Sequence, residues 1–416
     1  MLQIPDPRER LAVAAADAGL RVAAQFRARR RPPAADEIRR ILVLRIERIG
    51  DLIMSLPALH LLRSRAPRAE VDLVVGSWNR SLAGLIPGIS RIETMDAPWL
   101  ARGSTGAGWA AMVRQARGWR ERQYDVAINL EGDIRSHLLM SLAGARYQAG
   151  FGMAGGGPLL DLVVPFDPTS HTAVNAWRLA GAALGDAVGR SFQKGEGRLA
   201  ATALPRAAIE VPPSSLAQAD QWLGSALAAP ARTGRRLVGI HIGAGRAVKE
   251  WPVSRLASVA AHLAADEGVT IVLTGAGEDR AGADAFRAAL PPAAPCVDLV
   301  GRADIVALAA VFTRLALLIT PDTGPMHLAA VLDVPLVAVF GPSSPDRWGP
   351  LAARCRIVRT DLPCSPCNRI RTPPARCVGH TPDCLEAVST EAVLRAAREL
   401  LADTRRLVPA ASNTGG

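Results

Sequence analysis

The stretch Leu318-Ile319-Thr320-Pro321-Asp322-Thr323-Gly324-Pro325-Met326-His327 decides how the chain is read. An apolar run from Leu315 to Ile319 ends in Pro-Asp-Thr-Gly. The small residues Leu328-Ala329-Ala330 follow, and then a second apolar run from Leu336 to Phe340. The polar cluster is therefore expected at the carboxyl end of a strand and the amino end of a helix, where open α/β sheets bind ligands. Backbone N–H groups and the helix dipole favour an anion there, and Gly324 lets one approach the backbone closely. The stretch reads as half of a sugar-nucleotide site.

Outward from it, Leu237–Ile242 and Val269–Thr274 complete one series of strands alternating with helical stretches. A second series lies earlier: Arg40–Arg45, Val71–Val75, Arg91–Met95 and Asp125–Leu130, with helices expected at Leu52–Ser64 and Thr172–Leu184. Such alternation predicts parallel sheets covered on both faces, an α/β protein of two Rossmann-like halves with a cleft between them. Gly155-Gly156-Gly157-Pro158 marks a turn. The expected division is a basic N-terminal extension over 1–39, a first domain over 40–190, a connection over 191–235 rich in Gly, Pro and Ser, a second domain over 236–402, and a flexible tail over 403–416. Ser389 is the expected cap of the last helix.

A chain of 416 residues is too long for one ordinary core. Its net charge of +11 is carried almost wholly by arginine, since lysine occurs only at Lys194 and Lys249. That surface suits phosphorylated ligands or an anionic membrane face. With aromatics at 4% there is no stacking platform for nucleic acid, which is excluded as a partner. No apolar run is long enough to span a membrane and no secretory signal is read at the N-terminus, so the expected location is the cytoplasm. Leu11, Ala15, Ala18, Val22 and Phe26, beside Arg21, Arg27 and Arg29-Arg30-Arg31, lie at helical spacing. They fit either a helix packed on the first domain or one touching the inner membrane from its cytoplasmic side.

Several residues could carry chemistry. Asp51 follows Gly50 where the first strand gives way to its helix, so it can face a ligand as a general base or serve as a first-turn acid. Arg45-Ile-Glu-Arg-Ile-Gly50 lacks the glycines of a dinucleotide fingerprint, which argues against a dehydrogenase. Gly243-Ala244-Gly245 followed by Lys249 can bring backbone and ammonium groups to a diphosphate, without being a Walker loop. His327 lies one helical turn beyond Gly324 and can face the same ligand or pack internally. Glu278 and Asp279 could accept hydrogen bonds from ribose hydroxyls or cap a helix. Cys364, Cys367, Cys377 and Cys384, in a Cys-rich segment over 355–385, are spaced C-x2-C-x9-C-x6-C, which allows a structural zinc or free thiols. Cys296 and Cys355 read as isolated small residues.

Taken together, Ile41-Leu-Val-Leu-Arg45 with Ile49-Gly50-Asp51 and Ser55-Leu-Pro-Ala-Leu59, then Lys249-Glu-Trp-Pro252, Asp322-Thr-Gly324 with His327, and Phe340-Gly-Pro-Ser-Ser-Pro345 resemble glycosyltransferase family 9, whose best-known members are the lipopolysaccharide heptosyltransferases. The resemblance implies a GT-B architecture, two facing Rossmann-like domains around a cleft. It implies an inverting, metal-independent enzyme needing no cofactor, which moves a heptose from ADP-heptose to a lipid-linked acceptor in the lipopolysaccharide inner core. By the same resemblance Asp51 would be the general base, and Lys249, Asp322, Thr323, Gly324 and His327 would hold the donor. Glu278 or Asp279 would meet the ribose, and Arg135 would lie near the acceptor. The alternatives are a transferase or epimerase using another nucleotide-sugar, and a noncatalytic nucleotide-sugar-binding protein of envelope assembly. The Arg-rich extension, the four-cysteine segment and Pro325 depart from the family's best-known members.

Overall fold

The computed structural model describes residues 6–25, 30–100, 108–185, 200–227 and 236–407. Phe26, Arg27, Arg29, Lys194 and the tail beyond 407 lie outside the described residues, as do parts of the expected connection. The chain divides into two compact units, Met1–Ala208 and Ile209–Gly416.

The first unit holds a six-stranded sheet of β1 (Arg40–Leu44), β2 (Glu70–Val75), β3 (Arg91–Thr94), β4 (Val126–Asn129), β5 (Tyr147–Phe151) and β6 (Leu162–Val164). The second holds β7 (Leu237–His241), β8 (Thr270–Thr274), β9 (Cys296–Asp298), β10 (Leu317–Pro321), β11 (Leu336–Val339) and β12 (Cys355–Val358). Every strand pair is parallel. The orders are β3-β2-β1-β4-β5-β6 and β12-β11-β10-β7-β8-β9. Within each unit this is the doubly wound order, whose direction of winding reverses once, between β1 and β4 in one sheet and between β7 and β10 in the other. At those reversals the connections leave in opposite directions and open a crevice at the carboxyl ends of the strands.

The central strands are apolar runs because both faces are covered. β1, β4, β7, β8, β10 and β11 are buried almost throughout. The strands not anticipated have a different grammar. β5 contains Gly150, where a Cβ would come within 2.6 Å of the His137 ring, so close packing rather than strand propensity selects the residue. β9 and β12 are short edge strands, and Cys355, expected to be an isolated small residue, opens β12.

Where one helix was expected over Leu52–Ser64 there are two, α2 (Ile49–Met54) and α3 (Leu56–Arg65). The break has a local cause. Ser55 Oγ donates to Asp51 O at 2.8 Å, and Pro57 has no N–H to continue the ladder. The helix Thr172–Ala183 packs against α3. In the second unit, Ser389 Oγ accepts the Ala392 N–H at the head of the helix Thr390–Leu407, the expected cap. The helix Pro213–Leu227 packs against Ile305–Phe312, and Arg314 pairs with Asp220, so this part of the expected connection belongs to the second unit.

The N-terminal helix α1 (Pro7–Ala24) is held on the first unit by Val13, Asp17 and Leu20. The Asp17 carboxylate accepts the Gly156 N–H at 2.6 Å. The stripe expected to be its apolar face points the other way: Leu11 is 74% and Val22 60% exposed, and Ala15 and Ala18 are exposed too. Among the described residues, no helix is long and apolar enough to cross a membrane.

Candidate functional site

In the second unit, β7 and β10 are hydrogen-bonded neighbours, and the polar residues that follow each of them come together. Lys249 Nζ lies 3.0 Å from Asp322 Oδ2, an ion pair thrown across the winding reversal with only 18% and 8% of the two side chains exposed. Next to it the helix Gly324–Val331 begins. Thr323 is its buried N-cap residue and makes no side-chain cap, and Pro325 sits in the first turn. Pro325 has no N–H and the Met326 N–H is bonded to Thr323 O at 3.2 Å, so this end presents the positive end of the helix dipole and the Gly324 N–H beside a lysine. His327 is buried one turn further in, at 4% exposure.

The loop after β8 completes this edge. Asp279 Oδ2 accepts the Ala276 N–H at 2.7 Å, and a Cβ on Gly243 would sit 2.1 Å from that carboxylate, so glycine at 243 is what lets the two loops nest. Burial first, then the charge of Glu278, raises the Asp279 carboxyl above its ordinary range, against the pull of the Ala276 N–H. Asp279 is thus committed to its own turn, while Glu278 is exposed. Trp251 of the Lys-Glu-Trp-Pro motif is buried, and its ring N–H reaches Val388 O at 3.3 Å. It fixes the loop that carries Lys249.

Beneath the loop, His241 ends β7, buried, with Nδ1 at 3.1 Å from Thr274 Oγ1. Burial pushes its imidazole down to about 4. A base held neutral in the fold but free to protonate in the unfolded chain, at an ordinary value of 6.5, gives stability that is present above about 6.5 and is lost as pH falls towards 4. The expected loss over that window is about 3 kcal/mol. It is measured by urea unfolding at pH 7 and near pH 4, and His241→Gln should flatten the difference.

In the first unit, Asp51 stands in the first turn of α2. Its Oδ2 accepts the Arg48 N–H at 3.2 Å, and its Oδ1 lies 3.9 Å from Arg45 Nη2. Arg45 is buried and also donates to Leu130 O at 2.8 Å and to the Glu47 carboxylate. Trp78 Nε1 and Asn79 Nδ2 both donate to Glu47 O at 2.8 Å, which pins the β1–α2 loop against the loop after β2. Asp51 therefore has one oxygen engaged by its own helix and a quarter of its side chain exposed, at the carboxyl end of the reversal strand.

Sequence reasoning missed Glu131, which follows β4 on the other side of the same reversal. Its carboxylate accepts the Ile46 N–H at 2.6 Å and the Ser136 hydroxyl. Burial raises its pKa against those bonds and the nearby Arg45 charge. The signal is weak in sequence, because Glu131-Gly132-Asp133 looks like an ordinary polar turn. Asp133 does the ordinary work, capping the helix Ile134–Leu142.

Arg135, expected near an acceptor, is paired with Asp133 through Nε and Nη2 at 2.9 and 2.6 Å. Its Nη1 lies 3.3 Å from Glu9 of α1, and its guanidinium lies over Trp99. Two carboxylates already compensate this arginine.

Around Cys384, burial first, then the other three thiols Cys367, Cys364 and Cys377, push its pKa up to about 11, so the four lie near one another. Even so, among the described residues no three His, Cys, Asp or Glu side chains form a set arranged to hold a metal.

Against known proteins, the model of glycosyltransferase family 9 (heptosyltransferase) matches residues 112–376. The lipopolysaccharide heptosyltransferase 2 of Salmonella typhimurium is 29% identical over 335 residues, covering 77% of this chain and 88% of that one. Among solved structures, an Escherichia coli ADP-heptose lps heptosyltransferase II superposes with a TM-score of 0.70 at 23% identity, covering 88% of this chain and 99% of that one. A family 9 glycosyl transferase from Veillonella parvula superposes at 0.72 and 23% identity, covering 90% and 100%. The fold is GT-B, built from two Rossmann-like domains.

Proposed function

The chain belongs to glycosyltransferase family 9, and from that membership we propose that it moves a heptose from ADP-heptose to a sugar of the lipopolysaccharide inner core, with inversion and without a metal at the reacting centre. The observation that carries the donor side is the Lys249–Asp322 pair across the β7/β10 reversal, beside the amino end of the helix Gly324–Val331. A diphosphate placed there would meet an ammonium held in position by Asp322 and the positive end of a helix dipole. These groups would stabilise charge building on the departing ADP. Thr323 would offer its hydroxyl, His327 would contact the donor from the next turn, and Glu278 would take the ribose because Asp279 is committed to its own turn. Relatives of this kind are named for lipopolysaccharide and ADP-heptose, which favours that donor and acceptor over others.

On the acceptor side, Asp51 would accept the hydroxyl proton as that oxygen attacks the anomeric carbon and the bond to the ADP oxygen breaks. Arg45 and Glu131 hold the loop that aims it. Arg135, already compensated, would act on the acceptor side by fixing Trp99 and Asp133 in place.

Incubation with ADP-heptose and truncated core lipids, read by mass spectrometry, tests the proposal. A product heavier by one heptose is expected. A product formed only from a UDP- or GDP-sugar would replace the donor, and no product from any sugar nucleotide would favour a noncatalytic binder. For the four cysteines we propose a structural zinc away from the chemistry, which would have to draw the thiols closer together than they stand in the structure. Metal analysis of the purified protein should find about one equivalent, lost in Cys367→Ser. Metal-free protein of unchanged stability would remove the zinc.

A further inference from the structure

The four-cysteine segment lies outside the crevice residues of the second unit, yet its contacts lead back to them. Every residue from Asp361 to Thr381 is exposed or half-buried, so the stretch has no apolar core of its own. Three of the hydrogen bonds it makes outside itself fall on one turn, Gly341–Ser344, which follows β11. The Asn368 N–H donates to Pro342 O at 2.8 Å, Asn368 Oδ1 accepts the Ser344 N–H at 2.8 Å, and Ser365 Oγ donates to Gly341 O at 2.8 Å. A Cβ on Gly341 would come within 2.5 Å of Leu385 Cγ and 3.2 Å of Cys384 Sγ, so the root of the turn lies flat on the buried end of the segment.

That turn stands at the donor edge. β11 is the hydrogen-bonded neighbour of β10, and the Asp322 N–H donates to Val339 O at 3.2 Å, so the chain leaves β11 beside Asp322. On the other side of β10, β7 runs into the loop that carries Lys249, and the segment's end reaches that loop as well. Val388 O accepts from Trp251 Nε1 at 3.3 Å and from Arg255 Nη1 at 2.7 Å. Residues 364–388 therefore tie together the two loops that flank Asp322. Asn368 sets the tie on the β11 side. Its φ of 57° is left-handed, which asparagine tolerates better than most residues, and its backbone and side chain clasp the turn at Pro342 and Ser344 together.

We propose that the four-cysteine segment is a brace for the donor edge and that Asn368 is its positioning residue. Asn368 touches no donor. By holding the Gly341–Ser344 turn beside Asp322 it sets how tightly a nucleoside diphosphate is bound. The proposal rests on the reading that the diphosphate lies at the Lys249–Asp322 edge, and it is independent of the acceptor.

Calorimetry with ADP, and initial rates with ADP-heptose and a truncated core lipid, test it on the full chain. Asn368→Gly keeps the left-handed backbone and the bond to Pro342 O, and loses only the oxygen that accepts the Ser344 N–H. It should raise the Kd for ADP and the KM for ADP-heptose about five- to tenfold, with kcat, the acceptor KM and the melting temperature nearly unchanged. Asn368→Asp restores an accepting oxygen and should bring both constants back close to those of the unaltered protein. Equal ADP affinity in the unaltered protein and Asn368→Gly would overturn the brace and leave the donor reading intact. A fall in melting temperature with kcat and both KM values changed, in Asn368→Gly and Asn368→Asp alike, would make Asn368 a residue of the fold only and overturn it too. Unaltered protein that binds no ADP would remove the donor reading, and the brace with it.

Discussion

Replacing Asp51 with Asn should lower the single-turnover rate by about two to four decades while leaving ADP binding by calorimetry nearly unchanged. The geometry makes this substitution diagnostic. One carboxylate oxygen accepts the Arg48 N–H at the start of α2, and an amide oxygen can make the same bond. The helix start is therefore kept, and the stability change should stay below about 1 kcal/mol. What the amide cannot do is accept a proton from an attacking hydroxyl. Loss of rate with binding and melting temperature preserved assigns Asp51 to the chemistry. Parallel loss of rate, ADP affinity and melting temperature would make it the first-turn acid that its sequence position equally allowed.

Much of the scaffold around Asp51 was legible because buried parallel strands are written as apolar runs, and β1, β2, β4, β7, β8, β10 and β11 fall where those runs do. β5 was not legible. Its Gly150 interrupts any apolar run just before the turn expected at Gly155-Gly156-Gly157-Pro158, and the ring of His137 packed against Gly150 explains the choice of glycine. The helix break at Ser55 needed the Ser55 hydroxyl to be seen bonding backwards to Asp51 O. Glu131 was hidden because its partners, Ile46 and Ser136, lie on other elements. The stripe on α1 has the right period but the wrong partner. Val13, Asp17 and Leu20 repeat at the same helical spacing as Leu11, Ala15 and Ala18, and periodicity cannot say which of two faces meets protein. The four-cysteine spacing likewise fixed neighbours in sequence without fixing where the thiols point.

The pairing of Lys249 with Asp322 was also outside the reach of sequence, because it depends on β7 lying next to β10, and it leads to the second large effect. Asp322 has 8% of its side chain exposed and Lys249 18%, so the acid is the less solvated partner. Lys249→Met should strand a carboxylate with little access to water, costing about 3 kcal/mol of stability in urea unfolding. Asp322→Asn leaves an ammonium on a flexible stem that can turn to solvent, and should cost about 1 kcal/mol. The double variant Lys249→Met/Asp322→Asn removes both charges and should regain most of the stability lost in Lys249→Met. ADP affinity should not follow. A charge-assisted bond to phosphate is worth about 1.5–3 kcal/mol, so Kd should rise about ten- to a hundredfold in Lys249→Met and stay raised in the double variant. If the double variant recovered ADP binding together with stability, Lys249 would be present only to satisfy Asp322, and the diphosphate would have to be held by the Gly324 helix end alone. Separate behaviour of the two readouts is what an ammonium positioned by an acid for a third, anionic group requires.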